Sequence, residues 1–180
     1  MEAVLRNSRV RTGYGGYGRC GHYGYERKSR FYTKSGREIS YYGCEYGYIP
    51  KVNNIYSGIE TIDDLFEKLL ECYSDETAYP SCQSDYINNS DPTYGQCAVT
   101  AMLVYDIFGG TIHRIKVSGG THYFNKIDGK YIDLTSDQFE LYNIIVNYEP
   151  NEEIPREYCG KNEDTKKRYE LLAGRLNSLD

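Results

Sequence analysis

The feature that most constrains this chain is a two-residue turn. Asp128-Gly129 separates Thr121–Ile127 from Lys130–Thr135. Asp-Gly between runs of aromatic and β-branched residues is among the strongest hairpin signals, because both positions accept the positive φ that a tight hairpin needs. A two-residue loop places Ile127 opposite Lys130, Phe124 opposite Asp133 and His122 opposite Thr135. Side chains alternate with period two, so His122 and Phe124 share a face. Asp133 falls on that face one diagonal step from His122, at about 7–8 Å between backbones and within a carboxylate's reach of an imidazole. The turn therefore predicts a histidine with an orienting carboxylate.

Before the hairpin the period changes to that of helices. Thr61 can cap a helix with Asp64 at the third helical position, and Ile62, Leu65, Phe66, Leu69, Leu70 and Tyr73 follow at helical spacing, which predicts an amphipathic helix. Residues 74–95 are turn-rich, with Pro80, Asn88-Asn89, Asp91-Pro92 and Gly95. A second helix over Cys97–Phe108 is apolar on most sides and stopped by Gly109-Gly110, so it is expected to be buried. Thr111–Val117 reads as a strand broken from the next by Gly119-Gly120, and residues 162–180, with Leu171, Leu172 and Leu176, as a terminal helix.

Cys97 opens the second helix. A thiol in a first turn faces backbone N–H groups without intrahelical acceptors and the positive end of the dipole, which favours the thiolate that attacks carbonyls. Cysteine on a buried helix, then histidine and aspartate on adjacent strands, is the order of a nucleophile, a general acid/base and an orienter. Gln96 is a candidate oxyanion donor alongside the Cys97 backbone N–H. Asn125 falls on the face away from His122, Asp128 makes the turn, and His113 reads as structural.

The first fifty residues differ in composition. Of 21 Tyr in a chain with no Trp, nine lie in residues 1–50. Residues 1–51 carry ten Lys/Arg and four Asp/Glu, a charge of +6, whereas residues 52–180 carry eleven and twenty-two, a charge of −11. Arg30–Lys34 and Arg37–Tyr42 flank Ser35-Gly36 and read as a hairpin with a two-residue loop, pairing Tyr32 with Ile39 and Arg30 with Tyr41. Pro50 and Asn53-Asn54 suggest a boundary, giving a basic Tyr/Gly-rich β extension over 1–55 and an α+β body over 56–180. Arg19, Arg27, Lys28, Arg30, Lys34 and Arg37 among aromatic residues have the composition of a surface that neutralises phosphates and stacks bases, so a nucleic-acid or nucleoprotein partner is the alternative to catalysis.

No apolar run approaches the roughly eighteen residues of a membrane span. Met1–Arg11 mixes Glu2, Arg6, Arg9 and Arg11 with few apolar residues, which predicts no secretory signal, a cytoplasmic setting and reduced thiols among the six cysteines. Cys20, His22 and Cys44 lack the paired short spacing of structural zinc sites. No metal or cofactor is expected, and oligomeric state is open.

Two stretches resemble a known family. Asn89–Gly110, NSDPTYGQCAVTAMLVYDIFGG, and Gly120–Phe139, GTHYFNKIDGKYIDLTSDQF, look like the YunG-like family of small bacterial proteins. Its marks are a GQCA-VTAL helix, an S/T-H-Y-x-N strand and a D-L-T-x-x-Q-F ending. Leu65–Tyr86 follows the family's leader helix, so the resemblance covers about residues 60–140, with departures at Tyr105 and His113. It implies a papain/transglutaminase-like core in which a buried helix carrying Cys97 packs on an antiparallel sheet bearing His122 and Asp133. The expected activity is thiol-dependent acyl transfer on a protein or peptide. The alternative is a non-catalytic binding or inhibitor protein on the same scaffold, docking through its basic N-terminus as a mobile-element counter-defence or anti-CRISPR-type factor would.

Overall fold

The computed structural model describes residues 30–87 and 90–179. The chain is α+β. A four-stranded antiparallel sheet has the order β5-β4-β3-β6, built from β3 (Thr111–Val117), β4 (Gly120–Ile127), β5 (Lys130–Ile132) and β6 (Glu152–Ile154). A separate two-stranded hairpin joins β1 (Phe31–Tyr32) and β2 (Glu38–Ile39). The helices are α1 (Ile62–Cys72), α2 (Cys97–Phe108), the single turns α3 (Asp137–Glu140) and α4 (Arg156–Cys159), and α5 (Glu163–Asn177).

Local chemistry explains the long elements. Thr61 and Asp64 form the capping box that starts α1, an arrangement in which each side chain satisfies a backbone N–H of the other's residue. Asn162 caps α5 by accepting from the Asp164 N–H at 2.8 Å. Helix α2 buries Val99 through Val104, Ile107 and Phe108; it packs on β4 and is covered by α4 and α5. At its far end Arg156 forks onto Asp106 at 2.7 and 2.6 Å, and the Tyr169 hydroxyl donates to the same carboxylate at 2.6 Å, which ties α2, α4 and α5 together.

The turn at Asp128-Gly129 has positive φ at both residues, 49° and 78°, and pairs Ile127 with Lys130 and Asn125 with Ile132 as expected. The ladder then stops at Ile132 rather than running to Thr135. Asp133 Oδ1 accepts from the Thr135 N–H and hydroxyl, both at 2.9 Å, and this Asx turn pulls the chain out of the strand.

The first hairpin differs from its expected register. Its strands pair Phe31 with Ile39 and Tyr32 with Glu38. The loop holds three residues, because the Gly36 N–H donates to the Thr33 carbonyl and the Thr33 N–H to the Arg37 carbonyl, with Gly36 at φ 81°. This is a type I turn closed by a left-handed glycine. A shift of one residue exchanges faces: Phe31 is buried and Tyr32 is 52% exposed.

Nor is the expected boundary near residue 55 a break in packing. Phe31, Ile39, Tyr41 and Ile49 share one core with Ile62, Leu65, Phe66 and Leu69 of α1. Phe31 and Tyr41 both meet the Phe66 ring edge-on, at 4.9 and 5.0 Å between centroids, and the Tyr41 hydroxyl donates to Asp63 at 2.6 Å. Truncating one of these fully buried side chains to Ala costs about 2–5 kcal/mol. No helix among the described residues is long and apolar enough to cross a membrane.

Candidate active site

Cys97 is the first residue of α2, half-buried, and lines a cleft of about 810 Å³. The chain reaches it through Gly95, whose φ is 72° and where an added Cβ would lie 2.8 Å from the Cys82 Cβ; only glycine fits there without a shift. No side chain caps the helix, so the first-turn N–H groups around Cys97 are not consumed by a neighbour's oxygen.

His122 is 1% exposed, and its Nε2 lies 2.6 Å from Asp133 Oδ2. With Nε2 engaged, Nδ1 is the nitrogen left to address the Cys97 sulfur. Burial opposes charge on the imidazole, but Asp133 and then Cys97, as hydrogen-bond partner and negative charge, outweigh it and raise His122 to about 10. Phe139 meets the ring edge-on at 4.7 Å.

Asp133 is equally buried, and four donors surround it. Oδ2 accepts from His122 and from the Tyr148 hydroxyl at 2.8 Å, while Oδ1 accepts twice from Thr135. Burial pushes its carboxyl up, yet His122 and these donors win and hold it below the ordinary value. Its backbone pairs with Tyr42 in an isolated antiparallel bridge.

The three residues expected to cooperate are therefore brought together. Gln96 stands apart: it is fully buried, its Nε2 donates to the Ser74 carbonyl at 2.9 Å, and it does not line the cleft. This orientation aims its amide at the α1–α2 connection, not at a carbonyl on Cys97. Asn125 faces α2, donating to the Ala101 carbonyl at 3.0 Å, and His113 is held by Thr111 and Asn151 at 2.8 and 2.7 Å. Burial pushes the thiol of Cys159, in the same cleft, up to about 12 and that of Cys72, away from it, up to about 11.

Among the basic residues expected to meet a partner, Arg19, Arg27 and Lys28 lie outside the described residues, as do Cys20 and His22. Arg30 is exposed and Lys34 donates to the Glu71 carbonyl at 3.3 Å. Arg37 is committed within the fold, forking onto Asp137 at 2.9 and 2.6 Å and donating to the Ser90 carbonyl. Cys44 is half-buried, packed against the main core.

Sequence reasoning missed Tyr148, Tyr42, Phe139 and the role of Thr135. Asp-Leu-Thr carried a usable signal, because Asp followed two residues later by a Thr N–H is Asx-turn composition. Tyr148 and Tyr42 carried none; they arrive through chain reversals without periodicity.

The remaining cleft walls are aromatic and uncharged for the most part. Tyr79, Tyr94, Tyr123, Tyr142, Tyr158 and Phe139 line them with the Ser118–Gly120 hairpin tip; among the described residues Lys161 and Arg168 join His122 there, and no Asp or Glu does.

The family described as YunG protein matches residues 61–179. The uncharacterized protein YunG of Bacillus subtilis (strain 168) is 47% identical over 49 residues, a stretch that is 27% of this chain and 43% of that protein. The match thus covers less than half the length of that relative. No solved structure matches the chain. With its family match spanning α1 to the end of α5, the chain belongs to the YunG family.

Proposed function

We propose that this protein is a thiol-dependent acyl-transfer enzyme acting on an amide or isopeptide carbonyl, with a papain/transglutaminase-like division of labour. The observation that carries this reading is the buried 2.6 Å pair of His122 and Asp133 beside a cysteine at a helix N-terminus, opening on a cleft. Two ionisable groups at 1% exposure are costly to desolvate. A pair that also raises a histidine next to a thiol repays the cost when the thiol is a nucleophile.

In the reaction the Cys97 sulfur attacks the carbonyl carbon, forming a C–S bond and placing negative charge on the oxygen. The Cys97 N–H and the first turn of α2 stabilise that charge. As the C–N bond breaks, protonated His122 passes its proton to the leaving amine, and Asp133 holds the imidazole throughout. Water or an amine, deprotonated by His122, then attacks the thioester and releases Cys97. Cleft walls rich in tyrosine suit a polypeptide segment, because tyrosine offers rigid amphipathic contact area.

Two measurements test the proposal. Iodoacetamide is expected to alkylate Cys97 at pH 6 faster than a free thiol, and a panel of fluorogenic peptide and isopeptide amides to yield turnover lost in Cys97→Ala. Alkylation no faster than a free thiol, together with full activity in Cys97→Ala, overturns it.

A further inference from the structure

The proposed orienting aspartate is held from outside the family match. That match begins at residue 61, yet the backbone paired with Asp133 belongs to Tyr42: the Tyr42 N–H donates to the Asp133 carbonyl at 3.2 Å and the Asp133 N–H to the Tyr42 carbonyl at 3.0 Å. The Tyr42 N–H also reaches Ser136 Oγ at 2.9 Å. Its ring stacks at 4.2 Å on Tyr148, whose hydroxyl donates to the Asp133 carboxylate. Five residues earlier, Arg37 forks onto Asp137 and places Nε and Nη2 at 3.1 and 2.6 Å from the Ser90 carbonyl.

One extended segment thereby ties two others. The first, 133–139, carries the acid and the Phe139 ring on His122; the second, 90–96, leads into Cys97. We infer that residues 37–42 are a strap that positions the site: Tyr42 keeps Asp133 in register with His122, and Arg37 couples the acid's loop to the entry of the nucleophile helix. This rests on reading Cys97, His122 and Asp133 as a triad. Both are positioning residues, since neither lines the cleft.

The physical need is plain from the ladder. Strand β5 ends at Ile132, so the ladder of the four-stranded sheet does not extend to the Asp133 backbone, and misplacing a catalytic group by about 1 Å can cost on the order of a hundredfold in rate. Arg37 also faces a second buried carboxylate. Asp91 is 3% exposed and its Oδ2 has no hydrogen-bond partner among the described residues. Burial and then Asp137 push it up to about 6 against the pull of Arg37. Removing the guanidinium leaves both carboxylates without their shared cation, and the two segments lose the reason to stay together.

The test uses the full chain and reads the site itself. Iodoacetamide alkylation of Cys97 is followed from pH 5 to 9, the His122 imidazole is titrated by NMR, and melting is recorded, in Arg37→Ala, Arg37→Lys and Tyr42→Ala. Arg37→Ala is expected to slow alkylation at pH 6 at least about tenfold and to move the His122 titration downward. Arg37→Lys, which keeps the charge but loses the fork, recovers part of both. Thr61→Ala, which loosens the α1 cap and touches neither tie, changes neither. A folded Arg37→Ala protein that melts lower but keeps the wild-type alkylation profile and His122 titration overturns the strap. Should Arg37→Ala not fold, unchanged profiles in both Arg37→Lys and Tyr42→Ala overturn it in the same way. The triad reading fails separately: slow alkylation in the wild type together with full activity in Cys97→Ala defeats it, while a His122 titration that falls in the variants still supports the strap as the holder of the His122–Asp133 pair.

Discussion

Asp133 and Asp137 lie four residues apart, just after β5 and at the start of α3, and serve opposite ends. They are 1% and 4% exposed, and each meets a nitrogen base at 2.6 Å: His122 Nε2 for the first, Arg37 Nη2 for the second. A guanidinium stays charged at every accessible pH, so the Arg37 pair can hold segments together but cannot move a proton. Imidazole can gain and lose one, and this imidazole addresses a thiol at a helix N-terminus. On the proposed mechanism the same carboxylate chemistry is scaffold in one place and the support of an acid–base group in the other, according to whether the partner titrates.

Breaking the two pairs in turn gives the largest expected contrast. Asp133→Asn removes the orienting charge and is expected to lower turnover of a fluorogenic amide about 10⁴-fold, the order seen when a triad carboxylate is neutralised. Asp137→Asn lowers it far less. Equal losses in the two variants would erase the distinction.

Stability sharpens the comparison from the other side. Arg37→Ala is expected to cost about 2–3 kcal/mol in urea unfolding, near the lower end for a broken buried pair because its side chain is 29% exposed. The doubly substituted Arg37→Met, Asp137→Leu protein is expected to recover much of that loss, since a pair that only holds is replaceable by packing.

The pH dependence separates them next. His122 has a folded value above its unfolded 6.5, so its stabilisation is complete below about 6.5 and is lost as pH rises through about 10. Asp133 is shifted the other way; its stabilisation is present above the unfolded 3.8 and is lost as pH falls through its lowered folded value. Denaturation midpoints measured from pH 6 to 10.5 are therefore expected to fall more steeply in wild type than in Asp133→Asn. Arg37→Ala is expected to flatten that alkaline slope only as far as it lowers the His122 titration, since Arg37 itself does not titrate there. Asp91 is raised to about 6 by burial, so its protonated form stabilises, fully below 3.8 and no longer once pH passes 6. Asp91→Asn is expected to gain stability at pH 8 relative to pH 4.

The smallest effect belongs to a site remote from both pairs. Thr61→Ala breaks the α1 capping box and is expected to cost about 1 kcal/mol with alkylation of Cys97 unchanged.

Legibility followed the range of the interaction. The Asp128-Gly129 turn fixes its own pairing because both residues take positive φ, and that pairing was calculable. Ser35-Gly36 was ambiguous, because a hairpin with only one left-handed residue can close with two or three loop residues, and the choice exchanged Phe31 with Tyr32 as the buried ring. Cys97 at a helix start and His122 on Asp133's face could be read from periodicity. Gln96 could not: whether a residue at a helix start turns toward solvent or inward depends on what packs over it, here the Ser74 carbonyl. Arg37 read as a free cation because composition records charge and says nothing of Asp137 a hundred residues on.

By itself the sequence determined the helices α1, α2 and α5, the β4–β5 turn, and the shared face of His122 and Asp133, since capping, turn chemistry and side-chain alternation act within a few residues. Tertiary structure alone decided that Tyr148 would complete the acid's hydrogen bonds, that Tyr42 would supply its backbone partner, and that the basic N-terminal hairpin would pack into the body with Arg37 turned inward. Those contacts join residues far apart in the chain, and they form only when burial of a common core makes desolvating them worthwhile.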